Sequence, residues 1–146
     1  MLSVFICERC LVMHIPVLYS DDFLLICEKP VGVSSESPGL PDFLSEQTGM
    51  RLWPVHRLDH GTGGIVILAK SPEACAELQK EFRMNLIRKE YLAVVSGTLP
   101  DLSGRYEDLL FHDVRKNKSY IVKRNRAGVK KAVCEWKTEA HASFSE

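Results

Sequence analysis

The sequence predicts an α+β fold: a mixed, largely antiparallel sheet with few helices. Three observations carry this. Short apolar runs recur at residues 15–19, 23–27, 65–69 and 91–95, and several are bounded by turn residues. Ser71-Pro72 is the strongest helix start, with Ser as N-cap and Pro at the first helical position. Late in the chain, residues 119–123 and 132–137 alternate apolar and polar, as strands do, on either side of a basic loop at 124–131.

Taken in order, residues 15–19 and 23–27 flank Ser20-Asp21-Asp22 and predict a hairpin, because short polar side chains bond their own backbone in turns. Pro30, Gly32, Ser34, Ser35, Ser37, Pro38 and Gly39 then mark a long loop. Residues 40–48 predict a short helix stopped by Gly49, with Phe43 and Leu44 facing inward. Residues 55–64 have no clean period. The unbroken run 65–69 predicts a strand buried on both faces. The helix opened by Ser71 is expected to reach about Asn85 and to turn Cys75, Leu78 and Phe82 to the core. Residues 91–95 predict a strand ending at Ser96-Gly97, and residues 100–113 a turn and a partly buried extended segment. The last strand is followed by only nine residues, from 138 to 146, which implies an unsealed sheet edge and possible self-association through it.

The 146 residues suffice for one domain or a large part of one. Residues 1–14 read as an N-terminal extension and 15–146 as the domain portion. A composition of 45% apolar and 26% charged residues excludes collagen-like and wholly disordered classes. No apolar run approaches the ~18–20 residues of a spanning helix, so no membrane partner is expected. Net charge is zero, yet the stretch 115–131 holds eight basic residues and no acidic one, which suggests a face for an anion. Five cysteines with no secretory signal argue for a reducing, cytoplasmic setting. Cys27, Cys75 and Cys134 read as small core residues.

The densest polar cluster is His56-Arg57-Leu58-Asp59-His60, followed by Gly61-Thr62-Gly63-Gly64. Metal binding by His56, Asp59 and His60 needs a helix to bring the two imidazoles to one face, and the glycines oppose one. A phosphate-binding glycine loop lacks the Lys-Ser/Thr it requires. Asp59 is open to two readings: a carboxylate for nucleophilic or acid/base work held by Arg57, or a turn residue capping its own backbone. Cys7-x-x-Cys10, near His14, is half of a zinc or redox site. Tyr91 reads either as a wet edge-of-sheet tyrosine or as a ring for stacking on a base. The basic run reads either as a solvated hairpin or as a phosphate-tracking surface.

Three blocks together resemble the RluA-type pseudouridine synthases. "VLYSDDFLLICEKPVGV" is similar to the family's N-terminal block, with Lys29, Pro30 and Gly32 as its Lys-Pro-x-Gly. "VHRLDHGTGG" is similar to the signature His-Arg-Leu-Asp-x-x-Thr-Ser-Gly, and "RKEYLAVVSG" to the block with Lys89 and Tyr91. The basic hairpin also fits, and the resemblance spans residues 15–139. It implies isomerisation of uridine to pseudouridine in rRNA or tRNA, with Asp59 as the catalytic aspartate, Arg57 displacing the target base and Tyr91 packing against the uracil. It implies that His56 and Thr62 support the loop and, with Lys29 and Lys89, contact substrate, and that Lys123, Arg124 and Arg126 grip the RNA. No cofactor and no metal are implied. Where the signature carries Ser, this chain has Gly63. The Thr-Gly-Arg and His-Gln-Ile-Arg blocks that follow in the family have no match, so the 146 residues alone are expected to turn over poorly. The alternative is a non-catalytic RNA-binding module of the same fold.

Overall fold

A computed structural model describes residues 13–97, 99 and 101–140. Cys7 and Cys10 lie outside the described residues. The chain divides into two compact units, at Tyr91 and Leu92.

The first unit holds β1 (Val17–Ser20), β2 (Leu24–Lys29), α1 (Leu40–Thr48), β3 (Trp53–Pro54), β4 (Gly64–Ala69) and α2 (Pro72–Arg83). Its sheet runs β1-β2-β4-β3, with every pairing antiparallel. The predicted hairpin forms. Asp21 Oδ1 accepts the backbone N–H groups of Phe23 and Leu24, each at 2.8 Å, and this lowers the Asp21 pKa. The core gathers Leu25 and Cys27 from β2, Val66 and Leu68 from β4, and Leu40 and Leu44 from α1. Ile15 sits wholly within it. Gln47 of α1 accepts from the Ile15 N–H and donates to its C=O, both at 2.9 Å, which ties the chain's entry to the helix.

Both helices lie where their signals put them. α1 stops at Gly49, whose φ of +71° is the left-handed cap conformation. At its start the Asp42 carboxylate accepts from the Gly39 N–H at 2.8 Å. Gly39 is required there by proximity: a Cβ would meet the carbonyl oxygens of Ser34 and Glu36 at 2.6 and 2.7 Å. Ser71 caps α2 by accepting from the Ala74 N–H at 3.1 Å. α2 ends at Arg83, two residues short of the expected Asn85, which itself takes a φ of +55°.

The second unit is a sheet of order β6-β5-β7, formed by β5 (Ser103–Asp113), β6 (Lys118–Ile121) and β7 (Val129–Lys137). The α+β class stands, and all pairings among the described residues are antiparallel rather than mixed. The segment expected to be merely extended is the long central strand β5.

Three element-level expectations are corrected. Residues 91–95 form no strand: an apolar run becomes one only where a neighbour supplies ladder hydrogen bonds, and none does among the described residues. Tyr91, Leu92, Val94 and Val95 are all exposed. β4 is buried on both faces only from Val66 onward: Val66 and Leu68 enter the core beside α1, Ile67 and Ala69 pack on the opposite face with Cys75, Leu78 and Phe82 of α2, and Ile65 at its start is left 61% exposed. Cys134 is exposed on β7, whereas Cys27 and Cys75 are buried. Burial pushes the Cys27 thiol up to about 11, which makes it inert.

Candidate functional site

The segment from His56 to Gly63 links β3 to β4 and has no regular structure of its own, so its shape is set from outside. The neighbouring loop supplies that shape. Ser35, 4% exposed, donates its hydroxyl to the Leu58 C=O at 2.8 Å and accepts from the Leu58 N–H at 3.0 Å. Two residues on, the His60 C=O accepts from the Gly32 N–H at 2.8 Å. Within the segment, the Thr62 N–H closes a turn onto the Asp59 C=O at 2.9 Å. Leu58 points into the core. Its neighbours Arg57 and Asp59 are therefore turned outward, both exposed, on a backbone held from two sides.

Arg57 and Asp59 line one shallow depression of about 120 Å³, walled by residues 34–36 and 57–60. Arg57 does not hold Asp59. Its Nη1 lies 3.2 Å from Glu36 Oε1, with both side chains about two-thirds exposed. Among the described residues Asp59 has no ion-pair partner; Glu36 extends from the facing loop and takes the guanidinium instead.

His56 faces inward rather than toward a ligand. Its Nε2 accepts from the Ile67 N–H at 3.1 Å, and its ring stacks on Phe82 of α2 with centroids 4.6 Å apart. Burial lowers its pKa, and the nearby charge of Lys89 adds to this, while a backbone interaction at Arg57 works the other way. A neutral imidazole with Nε2 occupied as acceptor props the segment against β4 and α2. The same bond takes Nε2 away from the metal arrangement with Asp59 and His60.

Lys29 also departs from its expected role. It is fully buried, and its Nζ donates to the Val33 C=O at 2.8 Å and the Pro30 C=O at 3.0 Å. The ammonium folds the loop that carries Ser35 and Glu36, and is not presented to a ligand. Thr62 is half-buried and lies outside the depression's wall. Gly63 lies against the same loop: a Cβ there would meet Val31 Cγ2 at 3.2 Å and the Lys29 C=O at 3.4 Å. Tyr91 and Lys89 are exposed, and neither lines the depression.

In the second unit Lys123, Arg124 and Arg126 are brought together with Val122 around an open concavity of about 310 Å³. The Arg126 guanidinium lies 4.8 Å over the Phe111 ring of β5, which orients that end of the loop.

Ser35 and Glu36 are the functional-site residues that motif reading missed. Their only signal was membership of a Ser- and Gly-rich loop.

The fold that carries Arg57 and Asp59 has counterparts among solved structures. Two human pseudouridylate synthase domain proteins share the fold. The "Domain Containing 1" protein superposes with a TM-score of 0.71 at 18% identity, over 88% of this chain and 54% of its own. The "Domain Containing 4" protein gives 0.64 at 23% identity, over 81% and 51%. The RNA pseudouridylate synthase family profile matches residues 23–144. The "Ribosomal large subunit pseudouridine synthase C" of Buchnera aphidicola (Acyrthosiphon pisum) is 33% identical over 77% of this chain. The "tRNA pseudouridine synthase C" of Haemophilus influenzae is 34% identical over 57% of it. This chain belongs to the RNA pseudouridylate synthase family. It spans 38% of the length of each of those two relatives.

Proposed function

We propose that this chain carries the catalytic aspartate of an RNA pseudouridine synthase, and that Asp59 is that residue. The observation behind the reading is the exposed Asp59 carboxylate on a turn fixed by Ser35 and Gly32, beside Arg57. The reaction breaks the bond between uracil N1 and ribose C1′ and forms one between C5 and C1′. The C5 proton leaves and N1 gains one. A carboxylate serves this chemistry as a nucleophile or as a proton acceptor, and it must stand at a fixed point against the sugar.

The target base has to leave its stack to reach such a residue. Arg57 fills the vacated place and holds a phosphate there, and Tyr91 packs against the extruded uracil, a contact worth ~1–3 kcal/mol for a stacked base. Lys123, Arg124 and Arg126 grip the phosphate backbone, which makes binding salt-dependent. Lys89 adds positive charge on the side of His56. The substrate class is rRNA or tRNA, after the relatives' names, in a cytoplasmic setting.

The test is tritium release from RNA carrying 5-tritiated uridine, because C5 surrenders that atom when it bonds to the sugar. Asp59→Ala and Asp59→Asn are expected to abolish release and to leave RNA affinity within about twofold, since an exposed carboxylate adds little to RNA binding. Release that survives either substitution would refute the assignment of Asp59. RNA binding by the unsubstituted chain with no release would select the binding-module reading.

A further inference from the structure

We propose that Glu36 is a positioning residue for Arg57: its carboxylate holds the guanidinium at rest, and RNA gains Arg57 only by exchanging a phosphate for that carboxylate. The inference rests on the RNA reading above and concerns a residue outside the signature. The Arg57–Glu36 pair is 3.2 Å long and about two-thirds exposed on both sides. An exposed pair between two free loops contributes little, because ordering both side chains offsets the attraction.

Here the two backbones are already joined. Ser35 and Leu58, the residues next to Glu36 and Arg57, share two hydrogen bonds through one buried hydroxyl. Gly32 and His60 add a third tie between the same two segments. The pair therefore forms between pre-positioned side chains, at reduced entropic cost.

The charge count of the depression points the same way. Glu36 and Asp59 both line it, and Arg57 is the one guanidinium in its wall. A phosphate approaching it meets two carboxylates and an arginine already engaged. Repulsion falls and attraction appears together when Arg57 turns from Glu36 to the phosphate. Among the described residues Asp59 has no ion-pair partner, which leaves its oxygens to the reacting sugar.

A double-mutant cycle on RNA affinity tests this. Fluorescence anisotropy would follow a labelled stem–loop RNA with uridines in its loop, titrated with the full chain and with Glu36→Gln, Arg57→Gln and the double variant. Glu36→Gln is expected to tighten binding about two- to fivefold, the scale of one exposed ion pair. The gain is expected to shrink to near nothing in the Arg57→Gln background, because Glu36 acts through Arg57. Glu36→Asp, which keeps the charge but shortens the reach, is expected to tighten binding as well. Thermal melting of all variants should coincide with that of the parent chain.

An equal gain in both backgrounds would show a general charge effect and overturn the proposal, as would no gain at all. Failure of the unsubstituted chain to bind the stem–loop would overturn the RNA reading and this inference with it. Failure of the cycle alone leaves that reading standing.

Discussion

Replacing Ser35 with Ala removes one oxygen atom and two hydrogen bonds, at 2.8 and 3.0 Å. Both end on the backbone of Leu58, which is itself only 9% exposed. The alanine methyl offers neither a donor nor an acceptor, so the Leu58 N–H and C=O lose their partners together. A typical hydrogen bond contributes about 1 kcal/mol net, and a buried backbone group left unpaired costs ~1–3 kcal/mol. The expected loss is about 2–4 kcal/mol, the upper end applying if water stays out. With a urea slope of ~2 kcal/mol per molar, the middle of the range for a small protein, the midpoint falls by about 1–2 M. The assay is urea unfolding followed by the fluorescence of Trp53, the tryptophan of the first unit, on a Trp136→Phe background. A loss under about 0.5 kcal/mol, the range of an ordinary surface substitution, would refute the claim that this hydroxyl pins the Asp59 turn.

His56 gives a pH dependence of definite sign. Its folded pKa lies below the ordinary value because burial and Lys89 disfavour the cation. Its contribution to stability is therefore fully present above about pH 6.5, the unfolded value. It is lost as pH falls through the lower folded value, where protonation of Nε2 also breaks the bond from the Ile67 N–H. His56→Gln is expected to flatten that slope in urea midpoints measured across pH; an unchanged slope would exclude His56 as its source. For Lys29, methionine keeps the stem but strands the Val33 and Pro30 carbonyls, so Lys29→Met is expected to cost about 2–4 kcal/mol in the same unfolding assay. RNA affinity should fall only in proportion to the unfolded fraction, and a large fall in a fully folded variant would return Lys29 to the RNA surface.

Much of the local structure was legible in the chain. Ser71-Pro72 and Gly49 bounded helices because capping is decided by the residue and its neighbours within one turn. The Asp21 turn, the β1–β2 hairpin and a basic loop followed from equally local chemistry, although β7 begins at Val129 and takes the last three residues expected in that loop. The His56–Gly64 block, with its flanking blocks, was distinctive enough to indicate the family. What failed was non-local. Residues 91–95 have the composition of a strand, but a strand needs a partner, and pairing is a property of the whole chain. Ile65 and Cys134 are apolar residues exposed on their strands, because a sheet buries only the stretch that another layer covers, and α2 covers Ile67 and Ala69 but not Ile65. Lys29 carries a residue type that suits ligand contact, yet the fold turns it inward and uses its ammonium on Val33 and Pro30, while His56 supports the segment from inside through Ile67 and Phe82. The partnership of Glu36 with Arg57, 21 positions apart, has no trace in either local pattern. The sequence alone set which residues have the chemistry; the tertiary structure alone decided which of them face outward, because only the packed chain determines where a side chain finds its hydrogen bonds.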